Sequence, residues 1–245
     1  MRSSISIRCR GYLSSVCLSM ALAAVGCGAD GAKPRPPFKV FHAPKQPKTG
    51  EGVVVTVEPL PTLETSDLVL QYQVVEPGKY VDLHDIAYNE NWTRVALSKA
   101  AQETSKTGGA ALTAEFPPEL QKNRRLIRYR IYSTETKTVL APTAEDTQRN
   151  FAYFVYDGIP EWHGAINPKG SAQERKVVTY EPAVMRSVQA YHLICKQRSI
   201  ENVTWYEPKH GMGPSASEYK YTATLVADGK VYDHVRIRAR GGVWL

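Results

Sequence analysis

Short segments that favour β-strand, with turn-forming residues between them, recur across residues 51–157 and constrain the fold most strongly. In the run LIRYRIY, which starts at Leu126, arginines alternate with apolar residues, which is the period of an extended strand. We interpret the basic residues of Lys122–Arg130 as a solvated face of this strand. The strand-like segments are Val53–Val57, Leu68–Val75, Trp92–Leu97, Ala111–Phe116, Leu126–Tyr132 and Phe151–Tyr156. Together with the lack of a long amphipathic helix, they predict an antiparallel β-sandwich of immunoglobulin type, without the Cys…Trp…Cys pattern of antibody domains.

The segment Tyr219–Leu245 predicts a β-hairpin. Asp228-Gly229 separates two strand-like runs, and this dipeptide suits a type I′ turn because both central residues need positive φ. After the turn, apolar residues alternate with basic ones, so we expect one buried face and one wetted face. We interpret the carboxylates Asp228 and Asp233 as turn-forming residues. The chain closes on GGVWL, and we expect the hairpin to open a domain whose remainder lies beyond Leu245.

Residues 1–27 resemble a secretory signal. Three arginines precede an apolar run, Gly11–Val25, which is short for a membrane span, and small residues follow it. The end of this segment, Ala24-Val25-Gly26-Cys27, resembles a bacterial lipobox, in which the cysteine is lipidated and becomes the mature N-terminus. Ordinary signal cleavage, with Cys27 incidental, stays open. We therefore expect an exported protein, either anchored to a membrane by lipid on Cys27 or free at the cell surface.

The net charge of +7 is confined to the leader and the segment after it. Residues 1–27 carry three arginines and no acid, residues 28–50 carry five basic residues against Asp30, and residues 51–245 therefore carry no net charge. A nucleic-acid surface needs clustered Lys and Arg on the folded body, so we expect no nucleic-acid partner. Proline, lysine and glycine dominate residues 28–50, which we predict to be a disordered tether.

A second unit is predicted after residue 182. Residues 158–182 are rich in Gly, Pro, Asn and Lys, which indicates a connector between domains. Residues 183–245 form the second unit and contain the short apolar run Val188–Cys195, for which we favour strand while helix stays open. We interpret Cys195 in this run as a small buried hydrophobe, without a disulfide partner.

No set of catalytic or metal-binding residues stands out in the sequence. The six histidines show no i, i+4 pair and no carboxylate at metal-ligand spacing, so we assign no metal ligand and no catalytic residue. We interpret Asp82, His84 and Asp85 as a solvated loop, with a weak cation site as the alternative. The segment Lys209–Pro214 has the glycine content of a phosphate loop but lacks the Walker spacing, and we predict a surface loop.

Three stretches resemble the start of the CotH (spore coat protein H-like) kinase family. They are NFAYFVYDGIPEWHGAINP from Asn150, AYHLICK from Ala190, and Val203–Gly242, whose phrase VYDHVRIRARGG is the most specific. The upstream phrase VLQYQVVEPGKYVDL, from Val69, resembles the sandwich domain that precedes the kinase-like domain in some secreted bacterial members. The resemblance covers most of residues 50–245. It implies that the second unit is the N-terminal part of an α+β kinase-like domain that begins with the hairpin.

Members of this family resemble secreted atypical protein kinases that phosphorylate serine with ATP and a divalent metal. The family's nucleotide- and metal-binding residues mostly follow the Arg-Gly turn, so they would lie beyond Leu245; the resemblance implies no cofactor for this chain alone and leaves its being an enzyme open. Arg240, Gly241 and Gly242 are the matched candidates for nucleotide binding, because a glycine pair admits backbone N–H groups to an anion and arginine pairs with phosphate. A plain strand exit is the alternative.

The expected function follows from the leader and the resemblance together. We expect an exported CotH-family protein, truncated and inactive by itself, whose partners are a membrane, through the N-terminal lipid, and a protein substrate or surface component. One alternative is a cell-surface immunoglobulin-like binding or adhesion module without catalysis, which rests on analogy because fold does not give function. The other is a non-functional fragment.

Overall fold

The computed structural model describes residues 37–60, 64–100, 110–165, 167, 169–187, 189–199 and 221–237. All of them belong to one compact unit within Pro36–Leu245. The strands are β1 (Phe38–Ala43), β2 (Val53–Pro59), β3 (Leu68–Val75), β4 (Thr93–Ala96), β5 (Ser98–Lys99), β6 (Leu112–Phe116), β7 (Leu126–Ser133), β8 (Thr138–Ala141), β9 (Phe151–Phe154), β10 (Trp162–Ala165), β11 (Val177–Tyr180), β12 (Tyr191–Ile194), β13 (Tyr221–Ala227) and β14 (Lys230–Ile237). The helices are short: α1 (Ile86–Glu90), α2 (Pro182–Met185) and a 3-10 turn at Pro118–Leu120.

The fold is mainly β with antiparallel sheets, as the alternating segments predict. Strands β1 to β9 form two sheets, one in the order β1-β2-β6-β5 and the other in the order β4-β3-β7-β8, with β9 also paired to β7. Strand β7 accommodates two partners on one edge because β9 pairs with its first half and β8 with its second half. We call these nine strands the two-sheet body.

The core of the two-sheet body follows from strand alternation. Val53, Val55 and Val57 of β2 point to one side of the first sheet, and Ile127 and Tyr129 of β7 point to the facing side of the second. All five side chains are at most 1% exposed and belong to one apolar cluster. Both sheets therefore share a single core.

Two segments depart from the sequence-based prediction, and a third agrees with it. The predicted tether contains β1, which pairs with β2 along its whole length, so the prediction of disorder is wrong for Phe38–Ala43. Phe38 and Val40, which alternate along β1, pack on the core. This pattern is hard to recognise in the sequence because it is short and lies among prolines and lysines. The predicted connector contains β10 and β11, which pair with each other. The strand interpretation of Val188–Cys195 is confirmed over β12.

The closing hairpin is confirmed. Asp228 and Gly229 have φ values of 49° and 68°, as a turn with two left-handed residues requires, and β13 pairs with β14 on one side and β12 on the other. The hairpin packs on the outer face of the five-stranded sheet, where its residues Val226 and Val231 join Leu126 of β7 in a second apolar cluster. That face of β7 is therefore covered by protein.

No helix in the described part of the chain has both the length and the apolar character needed to cross a bilayer.

Candidate functional site

The side chain of Arg128 lies between the five-stranded sheet and the hairpin and has no exposed surface. Its Nε and Nη2 atoms donate to the two carboxylate oxygens of Asp233 on β14, at 2.7 and 3.1 Å. Its Nη1 atom donates to Oε1 of Gln73 at 3.1 Å and to the carbonyl of Val81 at 2.8 Å. This forked geometry suits guanidinium and carboxylate groups, and it satisfies a charge that would be costly to bury alone.

Asp233 is equally enclosed, with 3% of its side chain exposed. Besides Arg128, its carboxylate accepts hydrogen bonds from the Thr224 hydroxyl, from Nδ2 of Asn150 at 2.9 Å and from the backbone N–H of His234 at 3.0 Å. Burial raises the pKa of the Asp233 carboxyl, but the Arg128 charge and the hydrogen bonds outweigh burial, so the pKa lies below its ordinary value. The carboxylate is therefore charged at neutral pH.

Asn150 and His234 extend this polar cluster. Because Asn150 donates through Nδ2 to Asp233, its Oδ1 faces the Tyr88 hydroxyl and Nε2 of His234, which both lie 2.9 Å away. His234 therefore carries its proton on Nε2, and its buried Nδ1 has no hydrogen-bond partner in the described part of the chain. Burial, partly offset by the charge of Asp233, lowers the pKa of His234, which keeps the ring neutral.

The backbone of β14 explains how Asp233 and His234 both point inward. The register with β13 shifts between Ala223 and Leu225, and His234 has a φ of 55°, so β14 carries an extra residue at this point. A bulge of this kind breaks the simple alternation of a strand and redirects a side chain. Local backbone geometry thus places two adjacent polar residues in the same buried cluster.

Two further arginines of the predicted basic face, Arg125 and Arg130, are also engaged. Arg125 donates to both carboxylate oxygens of Glu76, at 3.2 and 2.6 Å, and is 7% exposed. Arg130 donates to Oε1 of Gln71 at 2.8 Å, and its guanidinium lies 3.9 Å from the centre of the Trp92 ring. The interpretation of this stretch as a solvated face is therefore wrong for Arg125 and Arg128, because the hairpin and the loop after β3 cover it.

The chemistry of the polar cluster is structural. Each oxygen of Asp233 already accepts at least two hydrogen bonds, so the carboxylate has no free lone pair for a proton or a metal ion. In the described ranges, no group of three or more His, Cys, Asp and Glu side chains is arranged to hold a metal ion. We call the Arg128–Asp233 pair the latch, since it joins residues 105 positions apart in the sequence and fixes the hairpin to the two-sheet body.

A cleft of about 310 Å³ opens beside the latch, and we call it the hairpin cleft. Four separate parts of the chain form it: the end of β1, Tyr129 of β7, the start of β9 with the residues before it, and the turn and first residues of β14. Its walls include Phe41, which is 41% exposed, and the lysines Lys45 and Lys230. The ammonium of Lys45 donates to the carbonyl of Asp228 at 2.8 Å, and that of Lys230 lies 4.7 Å from the centre of the Tyr232 ring. The cleft is thus a partly aromatic groove with a basic rim.

Most sequence-based site candidates lie outside the described residues. These are Cys27, Arg240, Gly241, Gly242 and the segment Lys209–Pro214, all of which stay predictions. The Asp82–Asp85 loop is described: Asp85 pairs with Lys196 at 2.6 Å, and Oδ1 of Asp82 accepts from the N–H of His84 at 3.0 Å. These are loop contacts, in line with the solvated-loop interpretation.

The sequence does not predict that Arg128 and Asp233 form an ion pair. The interpretation of Asp233 as a turn residue is wrong, since it lies five positions after Asp228 and is buried in the cluster. The available signal was an acid and a histidine interrupting the apolar–basic alternation of β14. Which arginine this acid would meet is a tertiary property that one sequence does not contain.

Comparison of the chain with models of protein families, with curated proteins and with solved structures finds no match.

Proposed function

We propose that residues 37–237 are the binding module of an exported, CotH-like protein, that the two-sheet body is an immunoglobulin-like sandwich, and that the hairpin cleft is the binding surface. The observation that carries the proposal is the convergence of four chain segments at this cleft, with the latch directly behind it. A buried ion pair joins β14 to β7, the strand with which β9 pairs, so the cleft is formed before any ligand arrives. Preorganisation of this kind reduces the cost of binding.

The chemistry of the cleft favours an extended peptide that carries acidic side chains. Strand β1 is at the edge of its sheet, so among the described residues one side of its backbone has no strand partner and could pair with an added strand. Phe41 and Val40 offer apolar contact along this edge, while Lys45 and Lys230 place positive charge at the rim. In a bound strand that alternates apolar and acidic residues, the apolar side chains would contact Phe41 and Val40, and the acidic ones would lie near Lys45 and Lys230.

Peptide binding to the full chain tests this proposal. The probe is the acetylated, amidated hexapeptide Glu-Val-Glu-Val-Glu-Val, with Lys-Val-Lys-Val-Lys-Val as the opposite-charge control, and binding is followed by backbone amide shifts at low ionic strength. We expect the acidic peptide to shift amides of β1 and β14 and the basic peptide to leave them unchanged. Equal shifts with both peptides, or none with either, would contradict the proposal.

Charge reversal in the cleft sharpens the test. The double variant Lys45→Glu/Lys230→Glu should weaken binding of the acidic peptide roughly tenfold or more, since two attractive charges become repulsive. The matched control is Lys99→Glu/Lys122→Glu, which makes the same change of charge at exposed positions away from the cleft. If the control variant weakened binding as strongly, the effect would be one of net charge and the cleft would not be the site.

A second proposal keeps the kinase resemblance, and the hairpin favours it. The turn Asp228-Gly229 and Asp233 both belong to the stretch that resembles the CotH family, and the latch connects that stretch to the strand run that begins at Leu126. We propose that the hairpin belongs to a kinase-like domain of the CotH type. Binding of ATP with Mg²⁺ or Mn²⁺ by the purified chain would support this, and no binding would contradict it.

A further inference from the structure

A second cleft, of about 350 Å³, lies at the other end of β9 and is separate from the hairpin cleft. The turn after β3, the turn before β7, the last residue of β9 and the strand β12 line it. We call it the Arg124 cleft, after the charged residue on its wall. Its polar groups include the Arg124 guanidinium and the His192 ring, with Tyr191 at the rim, 62% exposed.

Arg124 occupies a backbone conformation that glycine would adopt more easily. Its φ is 66°, in the left-handed region, and its N–H donates to the carbonyl of Val155 at 2.8 Å, which holds the turn in place. A bulky residue at such a position is strained, and strained positions cluster at functional sites. The arginine side chain is therefore a candidate for a role of its own.

No acid among the residues that the structure describes neutralises the positive charge of Arg124. In the described ranges its guanidinium has no carboxylate within ion-pair distance. The acids of the flanking segments are already engaged, because Glu76 pairs with Arg125 and Asp157 accepts from the N–H and hydroxyl of Thr49, both at 2.7 Å. An arginine that lines a cleft without a counter-charge fits an anionic ligand.

His192 is held in the cleft by two aromatic rings. Its ring centre lies 4.9 Å from that of Phe154 and 4.3 Å from that of Tyr156. Neither of its ring nitrogens has a hydrogen-bond partner among the residues that the structure describes. Burial, followed by the charge of Arg124, lowers the pKa of His192, so the neutral ring at pH 7 offers one N–H donor.

We propose that the Arg124 cleft binds a phosphate-type oxyanion, with the Arg124 guanidinium as its charged partner and the His192 ring as a hydrogen-bond donor. A planar, forked guanidinium matches the oxygens of a tetrahedral anion, and a fixed imidazole supplies a further donor at low entropic cost. The site does not depend on the peptide proposal, because no residue of the hairpin cleft lines it.

Two phosphate probes test this site in the full chain. Inorganic phosphate and glycerol 3-phosphate are titrated at pH 7.5, and the His192 ring signals are followed by NMR and assigned with the variant His192→Gln. We expect saturable shifts with at least one probe. Tighter binding of glycerol 3-phosphate would support a phosphate ester as the ligand, and tighter binding of inorganic phosphate would support the free ion. Equal shifts with sodium chloride at matched ionic strength would overturn the proposal.

The variant Arg124→Gly distinguishes an effect on phosphate binding from an effect on folding. Glycine relieves the left-handed backbone, so the variant should stay folded while phosphate binding weakens roughly tenfold or more through loss of a charged hydrogen bond. Lys137→Gly is the matched control: Lys137 is exposed, has a φ of 56°, and does not line the cleft. Phosphate affinity within twofold of the parent chain in Arg124→Gly, or an equal loss in both variants, would overturn the proposal.

Discussion

Removing the charge of Asp233 should destabilise the chain far more than any surface substitution. Asp233→Asn keeps the shape of the side chain but leaves Arg128, which has no exposed surface, without its counter-charge. The new amide also turns a donor toward groups that all donate to this position, namely Arg128, Thr224, Asn150 and the N–H of His234. Removing one partner of a buried pair costs about 3–5 kcal/mol, a large part of the ~5–15 kcal/mol that stabilises a typical domain.

Urea unfolding of the full chain measures this cost. With an m value of about 2–3 kcal/mol/M, a loss of about 4 kcal/mol would lower the unfolding midpoint by roughly 1.5 M. The control is Lys196→Gln, which breaks the partly exposed pair with Asp85 and should cost under about 1 kcal/mol. A cost below about 1 kcal/mol for Asp233→Asn would refute the reasoning, since a pair that matters so little would be solvated.

The double variant Arg128→Met/Asp233→Leu distinguishes a lost charge pair from lost packing. With both charges gone, neither is buried unpaired, so its cost should be smaller than that of Asp233→Asn or of Arg128→Met alone. The interaction energy between the two positions should exceed about 1 kcal/mol, as expected for groups in direct contact. Additive single costs would show that the two side chains do not interact.

Three further predictions concern the hairpin and the polar cluster beneath it. Gly229→Ala should cost about 1–3 kcal/mol, because φ is 68° and the new Cβ would meet Gln46 at 3.1 Å, whereas Gly52→Ala, with nothing nearer than 3.7 Å, should change the unfolding free energy little. Burial lowers the pKa of His234 below 6.5 although Asp233 opposes it, so the unfolded chain binds more protons and stability falls as pH drops below 6.5. His234→Gln should flatten the slope of unfolding free energy against pH just below pH 6.5, and an unchanged slope would contradict the buried neutral ring. Burial raises the pKa of Tyr88 to about 12, and spectrophotometric titration of Tyr88→Phe should lose one tyrosine that ionises near that value.

Much of the fold could be predicted from strand periodicity. The six alternating segments and the Asp228-Gly229 turn all correspond to observed strands or turns, because a period of two and a demand for positive φ are local properties. Strand β1 was missed because a six-residue pattern is short and lies among prolines and lysines. Composition is averaged over a longer stretch of sequence, so the alternation of six residues contributes little to it.

The polar cluster could not be predicted because its key property is not local. The alternation in β7 correctly separates Arg128 from Tyr129, but it does not say whether the polar face meets water or another element. The hairpin, more than a hundred positions later, covers that face and brings Asp233 to the guanidinium. The bulge at His234 adds a second departure, since two adjacent residues point inward where alternation allows one.

Amide hydrogen exchange of β14 tests most directly whether the latch makes the hairpin part of the two-sheet body. In the parent chain, we expect the amide of Tyr232, which faces Leu225 in a hydrogen-bonded pair of the hairpin, to exchange with the same opening free energy as those of Ile127 and Tyr129 in β7. In Asp233→Asn, the β14 amides should lose protection before those of β7. Exchange of β14 through a separate, low-energy opening in the parent chain would contradict the account.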